Sequence, residues 1–346
     1  TRPEYLKLWP LSLELKKSFN VINICSGQHS NLLIMHQNKL NMKIDYNLNI
    51  MKLDQSLNYT LSKAIYEFDK ILQKEKPDLV IVQGDTNTTL SASIAASNLK
   101  IKLVHIEAGL RTYDKYNPFP EENNRQLISK LADIHFTHSS NASKNLIKEG
   151  ISKKNIYMVG NTIIDTLKHY LKNKNKLSNK NKNNKSILIT CHRRENFQNL
   201  KLLNSIILQI VQDFKDINIK IIEHPNPQLK KNYKILSNIK NVKVIKSMNY
   251  FEFIDTALKS DLIISDSGGI QEEITLIKKP LLIIRDKTER DEILKSNYVM
   301  LTKFNYKLIR VYIKKFLYNK KFKLKTFMPF GNGKASIKIN QILKKL

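Results

Sequence analysis

The chain has 346 residues and carries 59 Lys and Arg against 30 Asp and Glu, a formal net charge of +29 at pH 7. That length suits two domains of ordinary size, and a hydrophobic share of 41% with 14 Tyr and 13 Phe supplies packed cores, which excludes wholesale disorder and fibrous repeats. Cys25 and Cys191 cannot form a disulfide framework, no window approaches ~18 uninterrupted apolar residues, and the N-terminus shows no signal pattern. A cytoplasmic protein with two buried thiols and no membrane partner is expected.

The chain opens on Thr1-Arg2-Pro3-Glu4, which reads as the first loop of a doubly wound sheet and the start of its helix. The expectation is that a central strand of roughly eight mainly apolar residues ending in glycine precedes it. Strand-like and helical patterns then alternate: VINICSG (21–27), a helix over about 54–75, DLVIVQGD (78–85), a helix over about 88–98, KLVHIEAG (102–109), a helix near 122–132, DIHFTHS (133–139) and IYMVGN (156–161). Residues 171–185, LKNKNKLSNKNKNNK, read as a solvated linker. Beyond it come SILITCH (186–192), INIKIIEH (217–224), NVKVIKS (241–247), SDLIISDSG (260–268) and PLLIIR (280–285), with helices between. The fold expected is α/β with two doubly wound Rossmann-like domains, 1–170 and 186–328, and a C-terminal helix in 329–346 returning to the first domain. Each domain presents the C-terminal edge of a parallel sheet, which puts the active site in an interdomain cleft.

The positive charge invites a nucleic-acid reading, but only eight basic residues are Arg and the densest Lys run, 172–185, has no Arg and no aromatic. A nucleic-acid groove normally interleaves both, so no nucleic-acid partner is expected. Seven of the eight Arg fall in short motifs instead, where a planar fork of donors suits phosphate or carboxylate.

The polar clusters lie directly after strands, where open α/β sheets hold ligands. In SDSGGIQEE (265–273) a turn through Ser267, Gly268 and Gly269 opens a helix, whose first N–H groups suit a phosphate. With Glu273 one turn in, available to ribose hydroxyls, and RDKTER (285–290) after the next strand, this reads as a nucleoside-diphosphate site. In the first domain, Asp85 ends one strand, Glu107 and Arg111 the next, and Glu121, Glu122 and Arg125 open a helix after Pro120. Any one of these carboxylates could equally be a helix cap or a structural ion pair. HRREN (192–196) offers His192, Arg193 and Arg194, the histidine suiting acid/base work near neutrality. No CxxC, HxxxH, G-x-G-x-x-G after a strand, or G-x-S-x-G is present, so no metal and no cofactor are expected.

These motifs together resemble the non-hydrolysing UDP-N-acetylglucosamine 2-epimerases, through TRPE (1–4), SGQH (26–29), QGDTNTT (83–89), HIEAGLR (105–111), PEENNR (120–125), GNTIID (160–165), HRREN (192–196), HPNP (224–227), SDSGGIQEE (265–273) and TER (288–290). The resemblance implies a B-type glycosyltransferase-like fold, a homodimer, and interconversion of UDP-GlcNAc and UDP-ManNAc for surface polysaccharide. It implies catalytic positions at Asp85, Glu107, Glu121 and His192, and substrate- and UDP-binding positions at Arg2, Lys7, Arg125, Ser267, Gly268, Glu273 and Arg290.

The implied chemistry accounts for the list. The sugar C2–H has no neighbouring carbonyl to acidify it, so anti elimination of UDP to 2-acetamidoglucal and re-addition on the other face requires a base, an acid and strong diphosphate stabilisation. Clustered carboxylates are expected to raise one another's pKa. A second, activating UDP-GlcNAc in some family members would fall on Gln28 and His29, but the run Gln28-His29-Ser30-Asn31-Leu32 departs from the family pattern, as does Asp291 after TER. Rival readings are a B-type UDP-sugar glycosyltransferase and an epimerase of a related UDP-diacetamido-uronic acid.

Overall fold

In the computed structural model of the protein, the described residues are 2–27, 40, 42–50, 55–172, 185–224, 226, 229 and 231–346. They form two compact units, Thr1–Asn173 with Pro329–Leu346, and Lys174–Met328.

The first unit starts with helix α1 (Arg2–Leu15) and a short parallel pair, β1 (Ile24–Cys25) and β2 (Tyr46–Asn47). Then follow α2 (Leu57–Glu75), β3 (Leu79–Gln83), α3 (Asn87–Asn98), β4 (Lys102–Ala108), α4 (Glu121–Leu131), β5 (Ile134–Thr137), α5 (Ser140–Lys148), β6 (Ile156–Met158) and α6 (Thr162–Lys172). Strands β3-β4-β5-β6 form one parallel sheet in that order. Ser56, Thr86 and Ser139 cap α2, α3 and α5 by accepting backbone N–H bonds. Ala64, Phe68 and Leu72 recur every fourth residue of α2 and so share one face, which packs with Val82, Leu90, Ala95, Leu103 and Ile128.

The second unit contains β7 (Lys185–Thr190), α7 (Leu200–Asp213), β8 (Ile217–Ile222), α8 (Lys234–Ser237), β9 (Val242–Ile245), α9 (Tyr250–Lys259), β10 (Leu262–Ser265), α10 (Gly268–Ile277), β11 (Leu281–Ile283), β12 (Val299–Leu301) and α11 (Tyr306–Ile313). Its parallel sheet has the order β12-β11-β10-β7-β8-β9. The chain winds from β7 outward to β9 and then from β10 outward the other way, the doubly wound pattern, with its reversal between β7 and β10. Ile187, Leu188 and Ile189 of β7 are wholly buried, as a central strand covered on both faces requires.

Helix α12 (Ala335–Leu343) belongs to the first unit, where Ile339 and Leu343 pack with Leu11, Leu15, Val104 and Phe136. Lys334 gives it no side-chain cap. Instead the Asp165 carboxylate accepts the N–H of Ala335 at 3.1 Å and of Ser336 at 2.9 Å. Burial raises the Asp165 pKa, opposed by those two N–H groups. Asp165→Ala is expected to cost ~1–2 kcal/mol, the scale of a lost cap that leaves buried donors unpaired. An unchanged urea midpoint would contradict this.

The patterned strands and helices are recovered within a few residues, with three corrections. Only Ile24 and Cys25 of 21–27 form a strand, and Cys25 is half-buried rather than buried. Strands β2 and β12 were not anticipated. Leu171, Lys172 and Lys185, expected in the linker, belong to regular elements, the first two finishing α6 and the third beginning β7. Among the described residues no helix is long and apolar enough to cross a membrane.

Candidate active site

In the first unit, polar groups gather where β3 and β4 end. The pairing of β4 with β5 shifts between Ile106 and Ala108, and Glu107 sits in that irregularity with φ +64°. A left-handed conformation costs a non-glycine residue ~1–2 kcal/mol and persists where neighbours hold it. The holding contacts are visible: Glu107 Oε2 accepts bonds from Lys7 Nζ on α1 and from Gln83 Nε2 on β3. Gly109 follows at φ +88°, and a Cβ there would lie 2.2 Å from the Ala142 carbonyl oxygen, so only glycine lets the chain pass α5.

Helix α4 brings the second group. Arg125 Nε donates to Asp85 Oδ2 at 2.7 Å, and Asn124 Nδ2 donates to the Asp85 carbonyl at 2.8 Å. Its first residue, Glu121, is partly exposed. Asp85, Glu107 and the first turn of α4 therefore share one end of the sheet.

Glu122 and Arg111 turn out to be structural. Wholly buried Glu122 accepts the N–H of Thr112 and Tyr113 at 3.0 and 3.2 Å and a bond from Arg125 Nη1 at 3.1 Å. Burial alone would raise its pKa, but these bonds, with one from Gln126, hold it below the usual carboxylate value. The expected mutual raising therefore fails at Glu122, while Asp85 and Glu107 each face a cation. Arg111 forks onto Glu149 at 2.7 and 2.8 Å and also donates to Ser129 and the Leu110 carbonyl.

Two buried histidines of this sheet do not suit acid/base work. His105 donates from Nε2 to the Gly84 carbonyl at 2.9 Å, and burial pushes its pKa down to about 3. Burial likewise pushes His135 down to about 4. Both are neutral in the folded state, whereas unfolded histidine takes a proton near pH 6.5. Below that pH the unfolded chain binds more protons, so stability is full above about 6.5 and falls toward pH 4, by up to ~1.4 kcal/mol per pH unit per histidine. The urea midpoint is expected to drop between pH 7.5 and 5, and less steeply in His105→Gln. A pH-independent midpoint would contradict this.

In the second unit, the sheet reversal carries the other candidates. Thr190 ends β7 and Ser265 ends β10, and their hydroxyls are 2.7 Å apart. The loop after β7 carries half-buried His192 and Arg193, and the loop after β10 carries Ser267 and Gly268 at the start of α10. A Cβ on Gly268 would lie 2.8 Å from Arg290 Nη1 and 3.2 Å from Arg193 Nη2. Two guanidinium groups thus stand at the helix N-terminus, a combination suited to an anion.

Buried carboxylates hold these cations in place. Glu272, fully buried, accepts from Arg290 Nε at 2.5 Å. Glu289 accepts two bonds from Arg285, at 2.8 and 3.3 Å, and lies 3.7 Å from Arg290 Nη1 and 3.8 Å from Arg193 Nη1. Against its burial, Arg285, Arg290 and Arg193 hold its carboxyl well below the usual range. Glu273 is buried on α10, and the neighbouring Tyr250 phenol is pushed up by burial and then by the Glu273 charge. Gly268→Ala is expected to leave the fold intact, since long side chains can yield, yet to weaken pyrophosphate binding ~10-fold by displacing them. Parent-like binding would contradict this close approach.

Gln83, Asp266, Glu272 and Glu289 were missed as contributors, although all four lie in quoted motifs. Arg2 begins α1, but its side chain and that of Arg194 are outside the described set, as are Gln28 and His29 entirely.

Comparison with known proteins accords with this arrangement. The chain matches the profile of the UDP-N-acetylglucosamine 2-epimerase family over residues 12–344. It is 40% identical over 368 residues to a UDP-N-acetylglucosamine 2-epimerase of Campylobacter jejuni, spanning 100% of this chain and 96% of that one. The crystal structure of UDP-GlcNAc 2-epimerase from Neisseria meningitidis bound to UDP-GlcNAc aligns with a TM-score of 0.92 at 37% identity, over 100% of this chain and 98% of that one. A lipopolysaccharide outer core galactosyltransferase, 14% identical with a TM-score of 0.53 over 88% of this chain and 85% of that one, shares the fold only. Two parallel α/β units of this kind make the fold B-type glycosyltransferase-like, and the chain belongs to the UDP-N-acetylglucosamine 2-epimerase family.

Proposed function

We propose that this chain interconverts UDP-GlcNAc and UDP-ManNAc by inverting C2 of the sugar. The observation that carries the reading is the start of α10, where an open helix N-terminus meets the Arg290 and Arg193 guanidinium groups beside Ser267 and Gly268. This is a diphosphate site in a family whose members are named for this reaction. Glu273 takes ribose hydroxyls, while Arg2, Lys7 and Arg125 contribute further substrate contacts.

The reaction runs in two halves. A base removes the C2 proton, the C2–H electrons form the C1=C2 bond, and the C1–O electrons leave with the β-phosphate of UDP. Protonation of 2-acetamidoglucal at C2 from the opposite face then builds positive charge at C1, which the same phosphate oxygen captures. Asp85, Glu107, Glu121 and His192 supply the base and the acid. Arg125 bonds the Asp85 carboxylate and Lys7 that of Glu107, which holds both groups in place for proton transfer. The reading carries with it a cytoplasmic homodimer supplying ManNAc-type precursors for surface polysaccharide.

The test is incubation with UDP-GlcNAc and no acceptor, followed by NMR. Appearance of UDP-ManNAc is expected. Turnover only with an added sugar acceptor would favour a glycosyltransferase, and turnover only of a UDP-diacetamido-uronic acid would change the substrate.

A further inference from the structure

We propose that Asp266 is a positioning residue for the reaction, its carboxylate fixing the turn that presents His192 and Arg193. The inference rests on the epimerase reading above. Asp266 is fully buried between Ser265, which ends β10, and Ser267, which precedes α10. Its carboxylate bonds reach across the sheet reversal. His192 N–H lies 3.0 Å from Oδ1 and 3.1 Å from Oδ2, Arg193 N–H donates to Oδ2 at 3.0 Å, and Asn196 Nδ2 does so at 2.9 Å. The Cys191 thiol adds a weaker bond at 3.5 Å. Burial, then the Asp266 charge, pushes the Cys191 pKa up, so the thiol keeps its proton and acts as a donor.

Every one of these donors comes from residues 191–196, the loop after β7. Four donors meeting one group require an acceptor-only side chain with two oxygens, which a carboxylate is and an amide is not. The two backbone N–H groups belong to the residues whose side chains the reaction needs, and Arg193 reaches back to the α10 start. One buried charge therefore sets the imidazole and a guanidinium relative to the anion site. A displacement of about 1 Å at such a group costs ~10²-fold in rate.

The experiment is a double-mutant cycle of Asp266→Asn with His192→Ala, reading kcat and KM for UDP-GlcNAc alongside urea midpoints. Asp266→Asn places an NH₂ group against these donors. In the parent background it is expected to lower kcat by ~10²-fold with a smaller change in KM, and in the His192→Ala background to add less than ~10-fold, the share that acts through Arg193. An equal loss in both backgrounds assigns Asp266 a general structural role and overturns the proposal, as does parent-like kcat in Asp266→Asn. Should Asp266→Asn fail to fold, Asn196→Ala decides, since it removes one donor and leaves the carboxylate with its backbone bonds. A several-fold kcat loss confined to the parent background supports the role; no loss, or equal loss in both, overturns it. An inactive parent defeats the epimerase reading and this role with it, whereas an active parent with additive defects defeats this role alone.

Discussion

Turnover of UDP-GlcNAc should fall by at least ~10²-fold in each of Asp85→Asn, Glu107→Gln, Glu121→Gln and His192→Ala, the scale of losing an acid or base group. Glu107 makes the strongest case. Its backbone conformation is costly and is held by bonds from Lys7 and Gln83 to its carboxylate, the kind of strain that clusters at functional sites. Asp85 has the same pattern on a smaller scale, with Arg125 on its side chain and Asn124 on its carbonyl. Because the two half-reactions need different proton transfers, some variants should release 2-acetamidoglucal and UDP faster than they form product. Steady-state rates beside urea midpoints check this. Parent-like turnover in any two of the four would contradict the assignment.

Arg290→Lys should weaken UDP binding by ~10- to 100-fold, the equivalent of ~1.5–3 kcal/mol for a lost charge-assisted bond. Arg290 does two things at once: Nε is held by buried Glu272 while Nη1 lies at the α10 start. Lysine has one nitrogen and must abandon either the buried carboxylate or the anion. Loss of the Arg290 bond to buried Glu272 would also lower stability, so calorimetric UDP affinity should be read together with the melting midpoint. Undiminished affinity would show that the guanidinium fork is not what holds the diphosphate.

The fold was legible wherever a strand is packed on both faces. DLVIVQGD and SILITCH are continuous apolar runs because helices cover both sides of the sheet, and both form strands near the expected bounds. VINICSG has similar composition, yet only Ile24 and Cys25 pair as a strand, with Tyr46 and Asn47, while Asn23 and Ser26 accept backbone bonds from the same stretch, because composition reports a preference for burial and not the length of a neighbour. In the site, motif residues were legible as a set but not by role. Glu121 and Glu122 are adjacent in sequence, and only the loop at Thr112 and Tyr113 shows that Glu122 is spent on backbone N–H groups. Arg111 is likewise committed to Glu149, 38 residues further on. Asp266 and Glu289 were hidden for the same reason, since a buried carboxylate's function lies in distant donors that spacing does not reveal.

The most direct measurement of the central claim is incubation with UDP-GlcNAc in D₂O, following C2 by NMR. UDP-ManNAc and UDP-GlcNAc should both carry deuterium at C2, because the proton removed in elimination exchanges with solvent before re-addition. Epimerisation with the C2 hydrogen fully retained, or no epimerisation at all, would contradict the claim.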